Sequence, residues 1–380
     1  MTCIILTEDY PPAPGGIAQW ARGVARSLAI RGHRVTVVTR LGKNAAPEAQ
    51  PGIRIARMPA WQWINLRLLY LYGASFFNIL RERPDVIIAT TWQLAAIVRP
   101  GQKLFGYRLV TVYHGLEVTK KLPAYQKRGL LKTARASALN IAVSHFTRDQ
   151  ICQKLSLPAH LIQVVHNGVD LERFKPGAPP ADLLEKYELQ GRRVLLTLSR
   201  VIERKGHDIV IRALPSLIGE HPKLLYLIAG AYHQDFYDRL RELIAQLGLE
   251  NHVRFTGRLE DERLADIYNL SELYIMVSKG SGTSGNSEGF GITYLEANAC
   301  EKAVIGSDVD GIPDAVEDGV NGLLVPPNDI EATAGAVGRL LREDALRDKL
   351  GRDGRKRIEQ RFTWDKITGR ILDLLENTNE

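Results

Sequence analysis

Short apolar and β-branched runs recur through both halves of the chain, each followed by a stretch long enough for one helix. Leu109-Val110-Thr111-Val112-Tyr113 and Leu224-Leu225-Tyr226-Leu227-Ile228-Ala229 are two of them. Strands alternating with helices in this way argue for parallel sheets wrapped by helices, an α/β fold. In the first half, strands are predicted near 3–7, 34–39, 53–58, 85–90, 108–113, 138–143 and 162–166. In the second they fall near 193–198, 224–229, 253–256, 273–277, 303–306 and 322–325, with only helix from about 329 to 377. Helix 17–31 is the clearest, because Ile17, Trp20, Ala21, Val24, Ala25 and Leu28 form one stripe that Gly32 closes.

The alternation stops and restarts once. Pro176, Gly177, Pro179 and Pro180 mark a linker over 173–192 between a domain at 1–172 and a second at 193–361. The 380 residues suffice for two sizeable cores. Two doubly wound domains facing each other across a cleft would each present strand C-terminal ends, where ligands bind in open parallel sheets. Cys3, Cys152 and Cys300 are too few and too scattered for a disulfide framework or a zinc site, so a reducing, cytoplasmic setting is expected. The start of the sequence carries no signal-peptide pattern. Segment 61–80 is very apolar, but Asn65, Arg67 and Asn78 interrupt it as a membrane span. It reads either as a helix buried on the first sheet or as one dipping into a membrane surface.

The chemistry concentrates in the second half. Ser287-Glu288-Gly289-Phe290-Gly291-Ile292 leads into a helix carrying Glu296, so two carboxylates stand eight residues apart around a helix N-terminus. With helical geometry throughout, they would lie within about a quarter turn of each other. Such acceptors suit a polyhydroxylated ligand whose anionic part lies on helix-end N–H groups. After strand 193–198 comes Ser199-Arg200-Val201-Ile202-Glu203-Arg204-Lys205-Gly206. Arg200 and Lys205 beside the following helix would make a diphosphate clamp, or else a pair of solvated loop cations. In the first half, Gly15-Gly16 opens helix 17–31 without a dinucleotide or P-loop fingerprint, and His114-Gly115 ends a strand. Asn167-Gly168 reads first as a turn. Asp308-Val309-Asp310 has a metal-binding spacing but sits in a short turn, and no metal is expected.

Together these residues resemble the retaining glycosyltransferases of family four, on the GT-B fold of two Rossmann-like domains. The matching features are Gly15-Gly16, His114-Gly115, Asn167-Gly168-Val169-Asp170, Arg200 with Lys205, the Glu288–Glu296 pair and Asn321-Gly322. The loop from Ser199 to Asp208 is similar to that of mannosyltransferases acting on lipid-linked acceptors. The resemblance implies that Arg200 and Lys205 neutralise the diphosphate of a nucleotide-sugar donor, GDP- or UDP-linked. Glu288 would hold donor-sugar hydroxyls, Glu296 the ribose, and His114 would reach the sugar from the other domain. Backbone at Gly16, Gly289, Phe290, Gly291 and Ile292 would finish the phosphate site. Arg254 and Phe255 would meet the base through their main chain. It further implies no metal or other cofactor, and a final helix, about 362–380, that returns to the first domain. Asp310 stands where similar sequences have Gly, and loop 279–287 is longer and richer in glycine and serine than in many relatives. A sugar-nucleotide epimerase or a non-catalytic binding subunit are the alternatives on the same fold.

Charge points to the acceptor. Residues 1–172 hold 22 Lys and Arg against 9 Asp and Glu, whereas 173–380 hold 28 against 34. Lys120, Lys121, Lys127, Arg128, Lys132 and Arg135 crowd the first half, three of them at helical spacing on 124–137. An anionic membrane surface or a lipid-phosphate acceptor fits this surplus. No recognition motif supports nucleic acid as the partner. The expected location is cytoplasmic, peripheral at the inner face of the membrane, with a saccharide or lipid-linked acceptor.

Overall fold

The computed structural model describes residues 1–13, 15–40, 51–58, 73, 75–280 and 287–377. The chain forms two compact units, Met1–Gly168 with Trp364–Glu380, and Val169–Thr363. The segment read as a linker belongs to the second unit and contains a helix, Ala181–Lys186.

In the first unit the strands are β1 (Thr2–Leu6), β2 (Arg34–Arg40), β3 (Ile53–Met58), β4 (Val86–Ala89), β5 (Arg108–Tyr113), β6 (Leu139–Ala142) and β7 (Gln163–Val164). They form one parallel sheet in the order β3-β2-β1-β4-β5-β6-β7. β4 and β6 are buried along their whole length, as strands covered on both faces must be. Helix Gly16–Ile30 buries Ala18, Trp20, Ala21, Val24, Ala25 and Leu28, and Gly32 closes it at φ 82°. The final helix, Trp364–Asn377, packs on it: a Cβ at Gly23 would stand 2.1 Å from the Trp364 ring. Arg31 Nε donates to Asp365 Oδ1 at 3.0 Å, and the Arg108 guanidinium donates to the Leu375 carbonyl.

The second unit contains β8 (Arg193–Leu198), β9 (Leu224–Ala229), β10 (Val253–Gly257), β11 (Leu273–Met276), β12 (Ala303–Ser307) and β13 (Gly322–Val325). Their order is β10-β9-β8-β11-β12-β13, again all parallel. Its core is aliphatic, with Leu195, Ile211, Leu214, Ile228, Ile275, Ile305 and Leu340 all buried together. In each sheet the order reverses beside the first strand of the unit, between β1 and β4 and between β8 and β11. Strand-end loops diverge at such a reversal and leave a crevice for a ligand.

Where the chain enters and leaves the second unit, the Val169 N–H donates to the Phe362 carbonyl at 2.8 Å, and Val169 pairs with Thr363. The Asn167–Asp170 stretch, read from its Asn-Gly as a turn, instead runs through this bridge, and the turn comes after it, with Asp170 Oδ1 accepting from the Glu172 N–H at 3.0 Å.

Candidate active site

β8 runs into Ser199 and a turn of 3-10 helix, Glu203–Lys205, that ends at Gly206. Gly206 has φ 73°, and a Cβ there would lie 1.9 Å from the Val277 carbonyl oxygen, so only glycine fits between this turn and the end of β11. Helix His207–Ala213 follows. Its first side chain is fully buried: His207 Nδ1 lies 3.0 Å from the Tyr226 hydroxyl, and Nε2 lies 3.3 Å from Ser199 Oγ and 3.4 Å from the Arg200 carbonyl. Tyr226 in turn meets Thr197 Oγ1 at 2.8 Å, so the turn is moored to β8 and β9.

Lys205 points inward and is 9% exposed. Its ammonium donates to Glu288 Oε2 and lies 3.3 Å from Met276 Sδ, at the end of β11. Arg204 Nη1 donates to the same carboxylate oxygen at 2.6 Å. Successive residues of a 3-10 turn stand about 120° apart, and it is the length of the two side chains that lets both cations reach one acceptor. Arg200 is exposed, makes no side-chain hydrogen bond or ion pair with a described residue, and adds its charge to the field on Lys205. Between the ends of β8 and β11, Lys205 and Arg204 thus share the Glu288 carboxylate, with the Arg200 charge near enough to act on Lys205.

These charges set each other's ionisation. Burial pushes the Lys205 ammonium down to about 8, opposed by Glu288 and reinforced by Arg204 and Arg200. Burial alone would raise the Glu288 carboxyl, but the Lys205 and Arg204 charges outweigh it and hold the group down at about 2. Glu288 is therefore ionised at neutral pH. Its backbone is gripped as well: the Glu288 N–H donates to Asp310 Oδ2 at 3.0 Å, and its carbonyl accepts from the Gly311 N–H at 3.0 Å.

Glu296 occupies a different setting. The helix extends over Ile292–Ala299 and starts only after Gly291, at φ 94°, where a Cβ would strike the Tyr294 ring at 2.6 Å. Glu288 consequently sits in a loop, and the quarter-turn relation expected of eight helical residues does not apply. Glu296 is 6% exposed and accepts from the Tyr268 hydroxyl at 2.7 Å. Burial pushes its carboxyl up to about 7, opposed by the Tyr268 hydrogen bond and the Arg173 charge. Burial raises the pKa of Tyr274 and both carboxylates add to it, while its hydroxyl donates to Thr293 Oγ1 at 2.7 Å.

Phe290 is buried against Phe362, ring centroids 6.2 Å apart, so its side chain belongs to the core. Arg254 and Phe255 are not brought to this cluster by their side chains. Arg254 donates to Glu188 Oε2 at 3.0 Å and to the Glu250 carbonyl at 2.7 Å, and Phe255 meets Tyr237 edge-on at 4.9 Å. Asp308 is exposed, and Asp310 is engaged by Glu288.

In the first unit, Gly15 (φ 124°) and Gly16 are exposed after β1, with open space where a Cβ would lie. His114 follows directly on β5, half-buried, its ring edge-on to Trp20 at 5.8 Å. Burial pushes its imidazole down to about 4, so it is neutral at physiological pH. Lys120, Lys121, Lys127, Arg128, Lys132 and Arg135 are all exposed, and none makes an ion pair or side-chain hydrogen bond with a described residue. The last four lie on helix Ala124–Ala136, which buries Leu130, Thr133 and Ala134. Most of segment 61–80, and positions 281–286 of loop 279–287, lie outside the described residues. Of the former, 75–80 is helical, with Ser75, Asn78 and Ile79 buried and Phe76, Phe77 and Leu80 exposed. No described helix is long and apolar enough to cross a membrane.

Sequence reasoning singled out neither Arg204, Tyr268 nor the grip of Asp310 on Glu288. Arg204 was visible only as a neighbour of Lys205, and nothing in the order of residues brings Tyr268 to Glu296 across 28 positions.

Comparison with known proteins bears on this arrangement. The structure is similar to that of Anabaena HepE in complex with UDP, with a TM-score of 0.83 over 99% of this chain and 100% of that one at 22% identity. It is also similar to sucrose-phosphate synthase from Thermosynechococcus elongatus, with a TM-score of 0.81, 99% and 98% coverage and 23% identity. The fold is that of the GT-B glycosyltransferases. In sequence, the family described as Glycosyltransferase Family 4 matches residues 14–173, and that described as Glycosyl transferases group 1 matches 182–357. The chain is 30% identical over 387 residues, 99% of each protein, to the GDP-mannose-dependent alpha-(1-6)-phosphatidylinositol monomannoside mannosyltransferase of Mycolicibacterium smegmatis. It is 27% identical to the D-inositol 3-phosphate glycosyltransferase of Saccharomonospora viridis, over 95% of this chain and 88% of that protein. The chain belongs to glycosyltransferase family four and is a hexosyltransferase.

Proposed function

We propose that the protein transfers mannose from GDP-mannose to a lipid-linked acceptor, with retention at the anomeric carbon and without a metal ion. The observation that carries this reading is the cluster of Lys205, Arg204 and Glu288 in the crevice between β8 and β11, with Arg200 adding its charge. Lys205, Arg204 and Arg200 outnumber the carboxylates of Glu288 and Asp310, so the cluster offers net positive charge to a diphosphate whose negative charge grows as the bond breaks. Fixed charges in a buried crevice stabilise that leaving group without reorganising. Glu288 would take donor-sugar hydroxyls and Glu296 the ribose. His114, neutral and at a strand end, would hydrogen-bond the sugar.

In the step itself the bond from the anomeric carbon to the diphosphate oxygen breaks as the bond to the acceptor oxygen forms on the same face. The acceptor's hydroxyl proton passes to the departing diphosphate, so no protein nucleophile is consumed. GDP-mannose is favoured over a UDP-hexose because the mannosyltransferase of Mycolicibacterium smegmatis is similar along 99% of its length. The six exposed cations of the first unit, which have no ion-pair partner among the described residues, support docking at an anionic membrane face together with Phe76, Phe77 and Leu80, exposed in the same unit. The inner face of the cytoplasmic membrane is the proposed location.

The test is product analysis. Purified protein incubated with GDP-mannose and phosphatidylinositol-bearing lipid should yield an α-mannosylated lipid and GDP, at an undiminished rate after EDTA treatment. A nucleotide sugar epimerised in the absence of acceptor would sink this reading in favour of an epimerase. Activity abolished by EDTA and restored by a divalent cation would sink its metal-free part.

A further inference from the structure

We infer that Asp310 is a positioning residue for Glu288, fixing the donor-sugar carboxylate from the turn after β12. The inference rests on the reading of Glu288 as the group that takes donor-sugar hydroxyls.

Glu288 follows a glycine- and serine-rich stretch and precedes Gly289 and Gly291, residue types that leave the backbone many conformations. Restraint comes from across the sheet. Asp310 Oδ2 accepts from the Glu288 N–H at 3.0 Å, while the Gly311 N–H donates to the Glu288 carbonyl at 3.0 Å. Both peptide groups of one residue are thus held by two consecutive residues of a single turn. That turn is itself tied down, since the Asp308 N–H donates to the Val325 carbonyl on β13 at 2.8 Å, and Ile312 N–H to the Val309 carbonyl at 3.2 Å. At its other end the Glu288 carboxylate is held by Arg204 and Lys205. When a donor diphosphate draws those cations, the backbone grip is what keeps the carboxylate aimed.

The conformation of Asp310 sharpens the point. Its φ is 55°, in the left-handed region where glycine sits without cost and a residue bearing a Cβ does not. An aspartate here holds a less favourable backbone than glycine would, and its carboxylate gives the hydrogen bond that glycine cannot. The two contributions can be separated by substitution.

Asp310→Gly relieves the backbone and deletes the acceptor; Asp310→Asn keeps a side-chain oxygen at the same place. Four measurements are made on each: melting temperature, GDP binding, and kcat and KM for GDP-mannose. Asp310→Gly should melt no lower than wild type and bind GDP to within about twofold, because Arg200 and Lys205 are untouched. Its kcat should fall about tenfold, the factor that goes with one well-placed hydrogen bond. Asp310→Asn should recover most of that loss. Wild-type kcat in Asp310→Gly, or no recovery in Asp310→Asn, overturns the inference, as does a joint fall in melting temperature and GDP affinity. Glu288→Gln separates the two levels. If it is crippled while Asp310→Gly is normal, only the positioning role fails; if it is fully active, the reading of Glu288 fails first.

Discussion

Lys205 is a lysine whose surroundings pull in opposite directions. Burial and two neighbouring guanidinium groups favour the neutral amine, Glu288 favours the ammonium, and the balance leaves its pKa at about 8. The group is charged below that pH and loses its proton above it. The cationic service to a diphosphate proposed for it would therefore be present at pH 7 and fade on the alkaline side. We expect kcat/KM for GDP-mannose, which reports the free enzyme, to decline above about pH 8. In kcat the decline should move to higher pH, because a bound diphosphate favours the ammonium. Lys205→Arg should remove the alkaline limb, since guanidinium stays charged, and Lys205→Ala should lower turnover by about 100- to 1000-fold in a folded protein. A kcat/KM profile flat to pH 9.5 would show that another group sets the charge. Glu288 behaves oppositely. Its pKa is depressed from 4.5 to about 2, so the stability it contributes is complete above the ordinary carboxylate range and is lost as pH falls through 2.

Among the elements, the strand–turn–helix unit from β8 to helix His207–Ala213 governs the site. The sequence shows that it must exist: an apolar run, a polar turn with glycine at its end, then an amphipathic stretch. It does not show that the turn is wedged against β11, because that contact joins residues about 70 positions apart. Gly206 is the point where the wedge becomes testable. Gly206→Ala would place a methyl 1.9 Å from a backbone oxygen at φ 73°, and neither atom is the end of a flexible side chain. We expect a loss of about 3 kcal/mol. For a unit of this size that lowers the melting temperature by roughly 10 °C, read by calorimetry or circular dichroism. A melting temperature within 2 °C of wild type would show that the turn can move away from Val277. The segment from Glu288 to Glu296 was half legible. Its glycines marked a loop before a helix, but the helix begins four residues after Glu288, because Gly291 at φ 94° interrupts it.

At the scale of the whole molecule the charge is divided as the chain is. The first 172 residues carry a surplus of cations and the remainder a small surplus of acids. Six exposed cations of the first unit lack described partners, so they remain available to an anionic surface. Cations near anionic lipid contribute about 1 kcal/mol each, enough together for reversible docking. The protein should co-sediment with phosphatidylserine- or phosphatidylinositol-bearing vesicles at low salt and leave them as salt rises. Charge reversal at Arg128, Lys132 and Arg135 should weaken this without lowering the melting temperature. Failure to bind such vesicles at low salt would remove the docking proposal. The order of residues by itself determined the two parallel sheets and helix Gly16–Ile30, and picked out Arg200, Lys205, Glu288 and Glu296 as candidates, since these depend on local periodicity and on short motifs. Which groups share a hydrogen bond was decided only by the tertiary structure. Lys205, Arg204, Met276, Glu288 and Asp310 come from three different strand ends, and only the folded sheet order brings those ends to one crevice.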